Sequence, residues 1–175
     1  MEFAESADGV DRLYRETRVA LTGYFQRRHR SIQTVEDLLH ETFLRLMRHA
    51  DRLREARSPR AYLFGIARHV SAEAWRNAEP AAADGAALDS VAADAPDPRL
   101  AAAREVVASL PRLQREIFDL RFQHDLSYAE IAETLGVPVG TVRSRLHNAM
   151  RILRARLAQE DAAAEGRSDR ESRNP

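Results

Sequence analysis

The sequence predicts an all-α protein: two small helical domains joined by a flexible linker, the C-terminal one containing a helix-turn-helix. Three observations lead there. Apolar residues recur at helical spacing on both sides of residues 80–99, and no run alternates as a strand would. Between Glu79 and Pro98 the composition turns to alanine, aspartate, glycine and three prolines, without aromatic residues or periodicity. Finally, Leu126 to Arg151 carries the signals of a capped helix, a tight turn and a second helix.

The first domain is expected over residues 10–79. Its first helix carries Leu13, Tyr14, Leu21, Tyr24 and Phe25 and ends near the basic run Arg27-Arg28-His29-Arg30, expected at the surface. A second helix starts after Thr34, taken as its cap, and sets Val35, Leu38, Leu39, Phe43, Leu46 and Met47 against Glu36, Asp37, Glu41, Arg45 and Arg48. It is amphipathic. A third begins at Ser58-Pro59, a cap followed by proline at the first helical position, and runs through Tyr62, Leu63, Ile66, Val70 and Trp75.

Residues 80–99 read as an acidic linker holding Asp84, Asp89, Asp94 and Asp97; twenty such residues reach about 65 to 70 Å when extended. The second domain, residues 100–158, opens with two helices, Leu100 to Ser109 and Arg112 to Phe122, broken at Leu110-Pro111. Residues 159–175 are polar, of mixed charge and expected to fray.

The helix-turn-helix has a physical rationale at each step. Ser127 and Glu130 have capping-box spacing, so a helix starts there. Ile131, Ala132 and Leu135 give it a buried stripe, Gly136 permits a left-handed backbone at its end, and Pro138 opposes continuation. In the next helix Val142, Leu146, Ala149 and Leu153 share one face, while Gly140, Arg143, Ser144, His147 and Arg151 share another. Val139 to Leu157 holds five arginines and no acidic residue. Phosphate is the natural counterpart of such a helix. Arg143 suits bidentate contact with guanine, and Ser144, His147 and Asn148 suit hydrogen bonds to base edges or phosphates.

Overall charge adds nothing to this, because 27 basic residues, all arginine, balance 27 acidic ones. The chain has no cysteine, which excludes disulfides and thiolate metal sites within it. No apolar run reaches membrane-spanning length and no signal-peptide pattern opens the chain, so a cytoplasmic protein is expected. Catalysis is not expected either. His40-Glu41 begins a zinc-protease pattern, but Leu44 stands where its second histidine belongs, and there is no phosphate-binding glycine loop or nucleophile elbow. No cofactor or metal is expected.

Four pieces in this order resemble a bacterial RNA polymerase sigma factor of the extracytoplasmic-function (ECF) group of the sigma-70 family. They are Val35-Glu-Asp-Leu-Leu-His-Glu-Thr-Phe-Leu-Arg-Leu46, Arg60-Ala-Tyr-Leu-Phe-Gly-Ile-Ala-Arg-His69, Leu110-Pro-Arg-Leu-Gln-Arg-Glu-Ile-Phe118 and the helix-turn-helix. The resemblance covers nearly the whole chain and implies a protein that binds core RNA polymerase and directs it to promoters. It implies that Asp37, Leu38, His40, Glu41 and Thr42 face the clamp helices of the polymerase's largest subunit. Arg60, Tyr62, Phe64, Arg68, His69, Trp75 and Arg76 would engage the minus-ten element as single-stranded DNA, supplying the aromatic and cationic surfaces a splayed base requires. Arg143, Ser144, His147 and Asn148 would read the minus-thirty-five element, with Arg121, Tyr128 and Thr141 on phosphates. The linker aspartates would occupy a nucleic-acid channel, and a membrane-bound anti-sigma partner would restrain the chain, which is not itself inserted in the membrane. The competing expectation is a stand-alone helix-turn-helix regulator whose N-terminal domain binds a ligand or dimerises.

Overall fold

A computed structural model describes residues 7–77 and 97–171. Among these the elements are α1 (Ala7–Gln26), α2 (Ile32–Arg48), α3 (Ala50–Glu55), α4 (Pro59–Asn77), α5 (Pro98–Ser109), α6 (Arg112–Phe122), α7 (Tyr128–Leu135) and α8 (Val139–Glu171). The described residues contain no strand, as expected. The chain separates into two compact units, one built from α1 to α4 with the Leu126–Val137 segment, the other from α5, α6 and α8.

The first unit is organised by apolar faces. Leu13, Leu21, Tyr24 and Phe25 of α1 are buried together with Val35, Leu39, Phe43 and Leu46 of α2 and Ala61, Leu63, Phe64, Ala67 and Val70 of α4. Tyr24 meets the ring of Phe64 edge-on at 5.7 Å, and Tyr14 meets Phe43 at 4.3 Å. Truncating Leu46 or Leu63, both fully buried, to alanine should cost on the order of 2 to 5 kcal/mol.

Two details depart from the sequence reading. The cap of α2 is Ser31, whose hydroxyl accepts from the Thr34 amide at 3.3 Å, so the helix begins before Thr34. Both residue types suit a cap, and the earlier one wins because Ile32 and Gln33 take helical conformation. The short α3 was not expected. One buried leucine, Leu53, fastens it to the unit, too little signal for a periodicity argument.

α4 starts as predicted, with Ser58 Oγ accepting from the Ala61 amide at 3.1 Å. Ser58 also donates to Glu130 of α7 at 2.8 Å, and the buried Thr134 hydroxyl donates to the Ala61 carbonyl at 3.2 Å. The packing of α7 on α4 places it in the first unit, whereas the sequence groups it with the later helices.

In the second unit Ala102 and Val106 of α5, Leu110 at its C-cap, Ile117 and Leu120 of α6, and Val142, Leu146 and Ala149 of α8 are buried. Asp97, read from sequence as a linker charge, is the N-cap of α5 and accepts from the Arg99 amide at 2.8 Å. The other linker aspartates, Asp84, Asp89 and Asp94, lie outside the described residues. The polar tail is also helical, since α8 continues unbroken to Glu171. Alanine and glutamate favour a helix beyond residue 158 even without an apolar stripe. An ion pair to α5, Arg99 to Asp161 at 3.2 Å, reinforces it, and just before it Arg156 pairs with Glu105 at 3.7 Å.

Candidate nucleic-acid interface

The turn before α8 is built from local chemistry. The capping box at the start of α7 is complete: Ser127 Oγ accepts from the Glu130 amide at 3.2 Å, and the Glu130 carboxylate accepts from the Ser127 amide at 2.8 Å. Burial pushes the Glu130 carboxyl up, but hydrogen bonds from the Ser127 backbone, Ser58 and the Ser127 hydroxyl, with the charge of Arg60, bring it below its ordinary value. α7 ends on Gly136, whose φ of +65° is left-handed, so the chain turns away and α8 starts three residues later, at Val139.

On α8 the predicted division of faces is present. Val142, Leu146 and Ala149 are buried, while Arg143, Ser144 and His147 are exposed and Thr141 and Asn148 part-exposed. Leu153, expected with the buried group, is only part-buried. Gln114 of α6 donates to the Arg145 carbonyl at 3.1 Å and fixes the helix against its own unit. Ser144 donates to the Thr141 carbonyl at 3.1 Å, which leaves the oxygen's lone pairs as acceptors. Arg151 donates to Asn148 Oδ1 at 3.0 Å, leaving the amide nitrogen of Asn148 as a donor. Arg121 pairs with Asp125 at 3.1 Å. Tyr128, the first residue of α7, is exposed.

The α4 residues divide differently. His69 and Arg76 are exposed, and Arg60, Tyr62, Arg68 and Trp75 are part-exposed. Phe64 is a correction: it is fully buried against Tyr24 and offers no face to a nucleotide. Its position in the helical repeat is shared by core residues, and composition alone does not separate the two roles. Trp75 is held from beneath by His29, whose imidazole stacks on the indole at 5.3 Å and 27°. His29 Nε2 lies 2.9 Å from the Ser71 hydroxyl. Burial, with the charge of Arg28 adding to it, holds the imidazole's pKa below the ordinary histidine value. In the sequence His29 belongs to a basic run expected at the surface; only the fold brings it to Ser71 and Trp75.

Along α2, Asp37 and His40 are exposed, and Glu41 is part-exposed. Leu38 and Thr42 are buried, with the Thr42 hydroxyl donating to the Leu38 carbonyl at 2.7 Å, so they belong to the core rather than the outer face. Arg45 donates to Glu41 at 2.7 Å and grips Glu73 of α4 with two bonds of 3.0 and 2.5 Å. Glu41 and Arg45 stand four residues apart on α2, whereas the link to Glu73 spans 28 residues of chain. Among the described residues no group of three or more His, Asp or Glu side chains is placed to hold a metal ion.

An arginine-faced helix following a capped turn, together with the aromatic and cationic groups along α4 of the first unit, fits a DNA-binding transcription protein. Residues 13–80 match the profile of Sigma-70 region 2, and residues 100–153 match that of Sigma-70, region 4. The ECF RNA polymerase sigma factor SigL of Mycobacterium tuberculosis (strain ATCC 25618 / H37Rv) is 32% identical over 156 residues, covering 84% of this chain and 88% of that protein. SigF of Caulobacter vibrioides (strain NA1000 / CB15N), also named an ECF RNA polymerase sigma factor, is 32% identical over 165 residues, covering 88% and 90%. Among solved structures, CnrH in complex with the cytosolic domain of CnrY shares the fold, with a TM-score of 0.63 at 23% identity over 90% of this chain and 92% of that one. The chain belongs to the ECF group of RNA polymerase sigma factors and directs promoter-specific transcription.

Proposed function

We propose that α8 reads the minus-thirty-five duplex through Arg143, Ser144, His147 and Asn148, with Arg121, Tyr128 and Thr141 on phosphates. One observation carries this reading: the outward face of the first turns of α8 is arginine, serine and histidine, while Val142, Leu146 and Ala149 behind it are buried. A helix so anchored presents its polar groups at fixed angles, as base recognition demands.

The α4 helix engages the minus-ten element as a single strand through Tyr62, Trp75, Arg60, Arg68, His69 and Arg76. Aromatic edges and guanidinium groups on one helix supply stacking surfaces with a positive rim. Asp37, His40 and Glu41 form the face that meets the clamp helices of the polymerase's largest subunit, and Arg45 holds the Glu41 carboxylate in one orientation. Core polymerase and promoter DNA are thus the working partners. The protein acts in the cytoplasm; among the described residues no helix is long and apolar enough to cross a membrane. An anti-sigma factor restrains it, in keeping with its likeness to CnrH, whose structure is a complex with the cytosolic domain of CnrY.

Run-off transcription with core polymerase tests the reading. Added chain should produce transcripts from matched promoter templates and none from scrambled ones. Tight promoter binding by the chain alone, with no transcript when core is supplied, would instead establish the stand-alone regulator.

A further inference from the structure

The arginines of the basic run at the end of α1 have no part in the DNA and polymerase contacts proposed above. From Thr17 to Val35 the chain holds four arginines, Arg18, Arg27, Arg28 and Arg30, and no acidic residue. One member of the turn faces inward. His29 is buried, touches Ser71 of α4 and stacks on Trp75, so the turn is fastened to the last turns of α4. Arg28 also serves the fold, since its guanidinium lies 3.6 Å over the Tyr24 ring and donates to the Tyr24 carbonyl at 3.0 Å. Arg30 is exposed and Arg27 part-exposed, in the same turn as the histidine that supports Trp75, whose neighbour Arg76 is exposed too.

We infer that Arg27 and Arg30 bind backbone phosphates of the strand whose bases meet α4, with His29 tying this phosphate clamp to the stacking platform of Trp75. One face of the indole is taken by the imidazole; the indole is part-exposed, its chain neighbour Arg76 is exposed, and the exposed Arg30 directly follows the stacked histidine. An aromatic surface within a rim of guanidinium groups fits a single strand of nucleic acid, in which each base is followed by a charge. The inference rests on the proposed engagement of single-stranded DNA by α4.

Trp75 is the sole tryptophan, so its emission reports on this place and no other. The full chain is titrated with a thymidine 20-mer across a range of salt concentrations while Trp75 fluorescence is followed. Binding should change the emission, and Arg27→Gln with Arg30→Gln should flatten the slope of log K against log salt by about 1.4, near 0.7 for each single-strand phosphate contact. The single variant Arg30→Gln, at an exposed position, should remove about half of that. Arg12→Gln with Arg15→Gln, exposed positions elsewhere on α1, should leave the slope as it is. An unchanged slope in the Arg27/Arg30 variant, or no change in emission on adding the oligonucleotide to the unaltered chain, overturns the inference. Run-off transcription by the same preparations separates the two failures. Transcripts together with an unchanged slope remove the phosphate clamp and leave the proposed function standing; absent transcripts remove the proposed function itself.

Discussion

Arg45 on α2 binds Glu73 on α4 through two roughly parallel bonds of 3.0 and 2.5 Å while its Nε donates to Glu41 at 2.7 Å. Two of its N–H groups therefore join the helix proposed to meet polymerase to the helix proposed to meet DNA, and a third holds Glu41 on its own helix. The hydrogen bond to Arg45 is the main reason the Glu73 carboxyl lies below its ordinary pKa. Both side chains are about a third exposed, so solvent reduces the worth of the pair. A double-mutant cycle of Arg45→Ala and Glu73→Ala should give a coupling of about 0.5 to 1 kcal/mol in urea unfolding. A coupling near zero would mean that the bidentate geometry adds nothing to stability.

Removing Arg143 takes away the arginine that α8 exposes in its first turns. Arg143→Ala should cost about 1 to 3 kcal/mol of promoter discrimination, confined to the base pair that this side chain reads. Run-off assays on a panel of minus-thirty-five variants measure it. The same preference in wild type and variant would assign the reading to other residues.

Histidine 29 makes the stability of the first unit depend on pH. Its folded pKa lies below the ordinary histidine value because burial, and then Arg28, disfavour the charged form. The unfolded chain therefore binds the proton first, and stability falls as pH drops from about 6.5 through the folded value, while above about 6.5 it is level in this group. Thermal unfolding between pH 7.5 and 5.5 should show this loss, and His29→Gln should reduce it. An equal loss in the variant would trace the effect to other groups.

Two glycines should respond to alanine in opposite directions. Gly65 lies within α4, and nothing stands within 4 Å of where its Cβ would be, so Gly65→Ala should stabilise by about 0.5 to 1 kcal/mol. Gly136 has equal space but a φ of +65°, and Gly136→Ala should destabilise by about 1 kcal/mol. Equal signs in thermal unfolding would refute the backbone argument.

The capping box gives a prediction of its own. Ser127→Ala should cost about 1 kcal/mol. Glu130 has a lowered folded pKa, so its contribution is complete above the unfolded carboxylate value near 4.3 and is lost as pH falls through the folded one. Glu130→Gln should therefore lessen the decline in stability below about pH 4.5. An undiminished decline would place that acid sensitivity elsewhere.

The parts of the fold legible in the sequence were those governed by local chemistry. Ser58, Ser127 and Gly136 each start or end a helix within a few residues of themselves, and each does so as its type and spacing predict. The α8 face was legible for the same reason, since helical periodicity fixes which side chains share a side. What escaped the sequence depends on partners far along the chain. The burial of Phe64 requires Tyr24, and the inward turn of His29 requires Ser71, 42 residues away. Thr42 belongs to the motif that the resemblance sets against the polymerase, yet the helix rotation set by Phe43 and Leu46 buries it; Leu38 is buried as its place on the apolar stripe predicts. The continuation of α8 was obscured by charge: a mixed polar segment reads as a frayed end unless the α5 residues that pair with it are known.

The unbroken course of α8 has a mechanical consequence. At 33 residues it is a rod about 50 Å long, with Arg143 near one end and Asp161 well along it. α5 grips that rod far from the reading turns, through Arg99 and Glu105. Helices resist bending, so the angle at which the arginine face enters a groove is set in part by a lever arm held from behind. Loosening that hold would change the aim of the reading head without touching a single residue that meets DNA.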